Sequence, residues 1–149
     1  MNSKELEEAM LKDKYIRKIF LGVFPLDKIP KEIPSPSIFI VNQDPSNKKG
    51  SHWIVLHFIN EKTVEHFDSL GKKPLSSINN LLLQKNMTYK YNNRRLQNFK
   101  SNTCGLYCLF YSYYSCRGFS FSSILAAFGK DLDKNDKNVT RFYLETFVV

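Results

Sequence analysis

Between residues 37 and 68 the chain alternates short apolar runs with polar breaks. Residues 37–42 (SIFIVN), 51–59 (SHWIVLHFI) and 63–68 (TVEHFD) are rich in β-branched and aromatic side chains, the kind that suits a pleated, half-buried surface. Asn60-Glu61-Lys62 between the last two runs is of hairpin length, so they are predicted to pair antiparallel. A further strand is predicted at 88–91 (TYKY), and a short buried segment at 20–24. Helical patterns flank these runs. Asn2-Ser3-Lys4-Glu5 has the N-cap and the reaching Glu of a capping box, so a helix is expected to about Asp13, with Leu6, Ala9 and Met10 inward. An amphipathic helix is expected over 75–85. Residues 104–116 (CGLYCLFYSYYSC) are apolar and aromatic with no Gly or Pro after Gly105, which predicts a buried helix with Asn102 or Thr103 as its N-cap. Residues 121–128 and 137–147 are predicted helical, separated by a charged loop at 130–136. Pro25, Pro30, Pro34 and Pro36 make 25–36 an extended connection. Residues 43–50 read as a polar loop leading to His52, and 92–103 as a loop leading to Cys104. Helices mixed with a mostly antiparallel central sheet, and no repeat or linker, predict one α+β domain over 1–149.

Composition narrows the class. A chain of 149 residues with 12 Phe and 8 Tyr can bury a core, so global disorder is excluded. No run approaches the roughly 20 apolar residues of a membrane helix. The polar, acidic first eight residues do not read as a signal peptide, and three cysteines outside a secretory context point to reduced thiols. Cys104 and Cys108 have helical spacing rather than that of a zinc knuckle, so no metal or small-molecule cofactor is expected. The net charge of +8, from 22 basic and 14 acidic residues, attracts polyanions. Lys85, Lys90, Arg94, Arg95 and Lys100 form the densest basic stretch and are the candidate DNA contacts. Without a helix-turn-helix or zinc-finger pattern, any such binding would ignore sequence. The competing reading is a solvated lysine-rich surface.

The order His52, Asp68, Gln97, Cys104 adds chemistry. A thiol nucleophile needs a base, the base needs an acceptor that fixes its tautomer, and the oxyanion formed on attack needs a donor. Cys104 at a helix start would feel the positive end of the helix dipole, which favours thiolate. The hairpin places the start of one strand beside the end of the next, hence His52 beside Asp68. Gln97 and the Cys104 amide are the candidate oxyanion donors. Gly105 leaves room beside the sulfur for a substrate backbone. His57 and His66 compete as base. His57 has the opposite strand parity to His52, and His66 lies on the same strand as Asp68. Cys108 and Cys116 read as core.

These residues resemble the adenovirus-type cysteine proteases, of the wider clan that includes the SUMO-specific proteases. The resemblance rests on Gly50-Ser51-His52-Trp53, on His66-Phe67-Asp68-Ser69-Leu70-Gly71, and on Gln97 seven residues before Cys104-Gly105-Leu106-Tyr107-Cys108. Echoes at Glu5-Leu6, Phe20-Leu21-Gly22 and Ile40-Val41-Asn42 extend it over most of the chain to about Cys116. It implies a cysteine-protease fold with the nucleophile at a buried helix N-terminus, and Trp53 lining the substrate cleft. It also implies a monomeric endopeptidase of the host nucleus or virion. Such an enzyme would cut viral or element-encoded precursor proteins, especially after Gly, with DNA and an activating peptide as candidate cofactors. Asp68 stands where the adenoviral enzymes have Glu, the tail is shorter, and no cysteine precedes Cys104. A disulfide-linked activator therefore has no attachment point, and the implied peptide is non-covalent. The rivals are a SUMO or ubiquitin-like deconjugase, which usually has Asp where Thr103 stands, an acetyltransferase with a Cys acyl-enzyme, and a non-catalytic basic nucleic-acid-binding scaffold.

Overall fold

The two central strands bury both of their faces. β2 (Ser37–Asn42) and β3 (Trp53–Phe58) are nearly continuous apolar runs, the pattern of a strand covered on each side. They pair antiparallel, and β3 pairs antiparallel with β4 (Thr63–Phe67). The outer pairs are parallel: β1 (Phe20–Pro25) joins β2, and β5 (Thr88–Tyr91) joins β4, giving the order β1-β2-β3-β4-β5. The sheet is thus antiparallel at its centre and parallel at both edges. The helix expected after residue 75 makes the second parallel edge possible, because parallel strands need a crossover. The structure, a computed structural model, describes residues 1–43, 52–98 and 100–148. Most of the polar loop expected at 43–50, with Gly50 and Ser51 of the first motif, lies outside these residues.

Strand alternation sorts side chains onto two sides. On one, Ile38, Ile40, Trp53, Val55 and Phe67 pack with α1 (Ser3–Lys12), α4 (Cys104–Ser115), α5 (Phe121–Leu125) and α6 (Leu132–Thr146). On the other, Phe39, Val41, Ile54, Leu56, Phe58 and Val64 meet Ile78 and Leu82 of α3 (Ser76–Gln84). α1 starts with the expected capping box, Asn2 with Glu5, and buries Leu6, Ala9 and Met10. Two short elements escaped the sequence pattern: a 3-10 turn at Leu26–Lys28, inside the connection expected to be extended, and a second helix. α2 (Lys14–Arg17) follows α1 because the Asp13 side chain accepts from Tyr15 N and Ile16 N, a cap worth about 1 kcal/mol.

The charged segment expected as a loop at 130–136 is mostly helix. Asp131 caps α6, its carboxylate accepting from Lys134 N at 3.1 Å. The first turns of α6 face a polar loop rather than the apolar core, so they lack the hydrophobic period that marks a helix in sequence. No helix among the described residues is long and apolar enough to cross a membrane.

Candidate active site

His52 stands one residue before β3 and Asp68 directly after β4. The antiparallel register, Val55 with Phe67, brings these ends together as the hairpin argument requires. Asp68 Oδ1 accepts from His52 Nε2 at 2.6 Å and from Leu70 N at 2.8 Å. The His52 ring also hydrogen-bonds the Cys104 side chain. Burial alone would lower the His52 pKa. The hydrogen bonds to Asp68 and then Cys104, with the charge of each, outweigh burial and raise it to about 9. Burial likewise works against an ionised Asp68, yet its bond to His52, the imidazole charge and the Leu70 amide hold its pKa below the ordinary carboxylate value. The site therefore favours an imidazolium beside a carboxylate at neutral pH.

Two residues outside the sequence-predicted set fix the acid and the loop. Asn92 is buried and grips the backbone of Asp68 from both sides, accepting from its N–H at 2.9 Å and donating to its carbonyl at 2.5 Å. The signal in sequence is faint: an Asn just beyond the edge strand that runs parallel to the strand ending just before Asp68. Ser69 donates through Oγ to Gln97 Oε1 at 2.6 Å, and its carbonyl accepts the Leu96 and Gln97 amides. Gly71 lets the two segments approach so closely. Its φ is +74°, and a Cβ there would lie 2.4 Å from the Arg94 carbonyl carbon, so no other residue fits without a shift.

Gln97 is buried, with Nε2 donating to Ser101 O at 3.1 Å and to Ser101 Oγ at 3.2 Å. Its amide is held inside the loop that leads to Cys104. Cys104 is the first residue of α4, buried where the helix meets the sheet. Thr103 is the N-cap by position, but its side chain makes no capping bond. The hydroxyl lies instead 3.3 Å from Asp136 Oδ1 and 2.9 Å from Ser101 Oγ. Trp53 is both core and neighbour of the site: a Cβ on Gly105 would lie 3.4 Å from its ring and 3.2 Å from Met1 Sδ. The space beside Gly105 is thus filled by protein side chains.

The rival histidines are buried and neutral. His57 is buried against α4, where its Nδ1 is 2.7 Å from Ser115 Oγ at the far end of the helix from Cys104. His66 is fully buried. Burial pushes both down to about 4, so both are neutral at neutral pH. Cys108 is buried, with its thiol donating to Trp53 O at 3.5 Å, and burial raises its pKa far above the ordinary thiol value. Among the described residues no group of three or more His, Cys, Asp or Glu is arranged to hold a metal.

The basic stretch is unevenly exposed. Lys90 and Lys100 are exposed, and Arg95 is half-buried. Lys85 Nζ donates to Lys31 O at 2.6 Å. Arg94 donates to the carbonyls of Leu125, Phe128 and Gly129, capping the end of α5 where cations are favoured.

No protein-family model matches the chain, and no curated protein sequence does. Solved structures do. The crystal structure of an ASFV protease superposes with a TM-score of 0.60 at 17% identity over 91% of this chain and 63% of that one. The chain therefore spans less than two thirds of that protease. The central domain of the Legionella pneumophila protein Lpg1148 gives 0.55 at 12% identity, over 99% of this chain and 97% of that one. ChlaDub1 from Chlamydia trachomatis gives 0.54 at 13% identity, over 95% and 74%. At these identities the likeness is one of fold, and the chain shares the α+β fold of these structures.

Proposed function

We propose that this chain is a cysteine endopeptidase of the adenovirus type that processes precursor structural proteins of a virus or virus-like mobile element. One observation carries the reading: His52 lies between Asp68 and Cys104 and hydrogen-bonds both. In this mechanism Cys104, as the thiolate whose proton His52 holds, attacks the scissile carbonyl carbon through Sγ, and the carbonyl π electrons move to oxygen. The Cys104 amide and Gln97 Nε2 donate to that oxyanion, Gln97 releasing a Ser101 contact to do so. His52 gives its proton to the leaving amine as the C–N bond breaks. A water, deprotonated by His52, then attacks the thioester, the C–S bond breaks, and the thiolate returns with the acid product.

The test is incubation with a capsid-type precursor, a ubiquitin-like substrate ending in Gly-Gly and acetyl-CoA, each read by mass spectrometry. Cleavage of the precursor, lost in Cys104→Ala, is expected. Release of the ubiquitin-like tail alone would replace the reading with a deconjugase, and acetyl transfer alone with an acyltransferase. No turnover of any of them would leave the basic scaffold.

DNA is part of the same proposal, as a track that confines enzyme and precursor together. Lys90 and Lys100 are its first candidates, because they are exposed, whereas Arg94 is committed to α5. Filter binding to duplex DNA at low salt tests it: binding that survives neutralising both lysines would remove them from the contact.

A further inference from the structure

The loop that carries the oxyanion donors is fastened at three points to a helix that the mechanism above does not use. Residues 96–103 hold Gln97 and lead into Cys104. Asp133 Oδ1 of α6 accepts from Asn98 Nδ2 at 2.7 Å. Asn135, buried, donates through Nδ2 to the carbonyl of Leu96 at 3.0 Å. Asp136 Oδ1 accepts the Tyr107 hydroxyl at 2.6 Å and lies 3.3 Å from Thr103 Oγ1. Those contacts fall directly before Gln97, directly after it, and on both sides of Cys104. The Tyr107 hydroxyl also sits 3.1 Å from Leu96 O, so the two ends of the loop share one anchor. Ser101 completes the connection: Gln97 Nε2 donates to its Oγ at 3.2 Å, and that oxygen lies 2.9 Å from Thr103 Oγ1.

The chemistry of these groups suits orientation. Asn135 uses both ends of its amide, donating to Leu96 O and Gly129 O and accepting from Gly129 N. Its side chain is therefore fixed by the turn before α6 and transmits that position to Leu96. Burial, then the hydrogen bond to Asp136 and its charge, push the Tyr107 hydroxyl far above its ordinary pKa. Tyr107 thus stays protonated and remains a donor to the carboxylate. An oxyanion site works only when its donors are held where charge develops, and a misplacement of about 1 Å costs on the order of a hundredfold in rate.

We infer that the first turns of α6 are a clamp that sets the oxyanion donors, with Asp136 and Asn135 as positioning residues for Gln97 and Cys104. This rests on the peptidase reading. The expected signature is a rate effect without a binding effect, since the clamp touches the loop and not the substrate. Asp136→Ala and Asn135→Ala should each lower kcat by roughly ten- to a hundredfold, with KM within about twofold. Alkylation of Cys104 by iodoacetamide should proceed at the wild-type rate, because His52 and Asp68 are untouched. Asp136→Glu should recover part of the loss. Lys134→Ala, exposed on the same turn, is the control expected to behave as wild type. Tyr107→Phe should lower kcat in the same way. Combined with Asp136→Ala its effect should fall short of additive, because the two variants share the Tyr107–Asp136 contact.

Unchanged kcat in both alanine variants overturns the clamp, as does a rise in KM at constant kcat. Two measurements cover the remaining outcomes. If Asp136→Ala fails to fold, Thr103→Val breaks the contact from the loop side with nearly the same volume, and wild-type kcat there also overturns it. If the wild-type protein turns over no substrate, the peptidase reading falls and amide hydrogen exchange decides the clamp. Faster exchange over residues 96–104 in Asp136→Ala, with the sheet unchanged, supports it, and identical exchange rejects it.

Discussion

Asp68 illustrates how a short acid serves a histidine on a neighbouring strand. Its side chain is one methylene shorter than Glu, so its backbone has to be brought closer, and Asn92 fixes that backbone through both its N–H and its carbonyl. The result is the 2.6 Å bond to His52. This geometry makes a signed prediction. His52 holds its proton to about 9, where burial is opposed chiefly by the bond to Asp68. Loss of that proton removes the acid that the leaving amine needs, so kcat/KM should fall as pH rises through about 9. Asp68→Asn removes the charge that raises the pKa, so the alkaline limb should move to lower pH as well as the rate falling. A pH–rate profile of the variant with its limb unmoved would show that another group sets it. At the same scale, Gln97→Ala should lower kcat by about a hundredfold with little change in KM, read in steady-state assays. A large KM effect at constant kcat would mean that Gln97 binds substrate.

At the scale of elements, the ends of strands and helices converge on the site, and turns decide how they meet. Gly71 is the tightest of these turns, since a Cβ would lie 2.4 Å from one backbone atom of Arg94 and 2.6 Å from another. Gly71→Ala should destabilise the protein by more than roughly 1 kcal/mol, from the left-handed backbone alone. It should also lower kcat, because the clash separates Ser69 from the Gln97 segment. An unchanged melting temperature would show that the turn is looser than it stands. The strands and their pairing at the site were legible because alternation and hairpin length are local signals. So was α1, whose capping box is written in four consecutive residues. The start of α6 was not: its polar residues face a polar loop, and nothing in Asp133, Asn135 and Asp136 distinguishes a clamp from a solvated charge run. Asn92 and Ser69 escaped for the same reason, since their partners lie 24 and 28 residues away in sequence. The order of thiol, imidazole, acid and amide along the chain, with the hairpin, singled out Cys104, His52, Asp68 and Gln97 as candidates, whereas the residues that hold them required the tertiary structure.

Across the whole molecule, the central strands of the sheet are buried on both faces, and this has a cost in acid. His57 and His66 lie inside it as neutral rings, each pushed from 6.5 down to about 4 by burial. Unfolding restores their ordinary affinity for protons. Between about 4 and 6.5 the unfolded chain therefore binds more protons than the folded one, and stability falls as pH falls through that window. Together the two rings are worth on the order of a few kcal/mol. Glu65 acts in the opposite sense: burial raises its pKa, despite the Tyr111 hydroxyl and Lys90, so the folded state is the better proton binder there and softens the loss. His52 also has the opposite sign, because its raised pKa gives stability below 6.5 that disappears as pH rises through about 9. The melting temperature should therefore be highest around neutrality and decline on both sides. His57→Asn combined with His66→Phe should flatten the acid side while leaving the alkaline side in place, because the second depends on His52 alone among the three histidines. Melting curves from pH 4 to 10 would check it. An acid slope between pH 4 and 6.5 that survives the double substitution would show that the two buried rings do not cause it, since Asp13 and Asp68, with lowered pKa values, lose their contribution only below about 4.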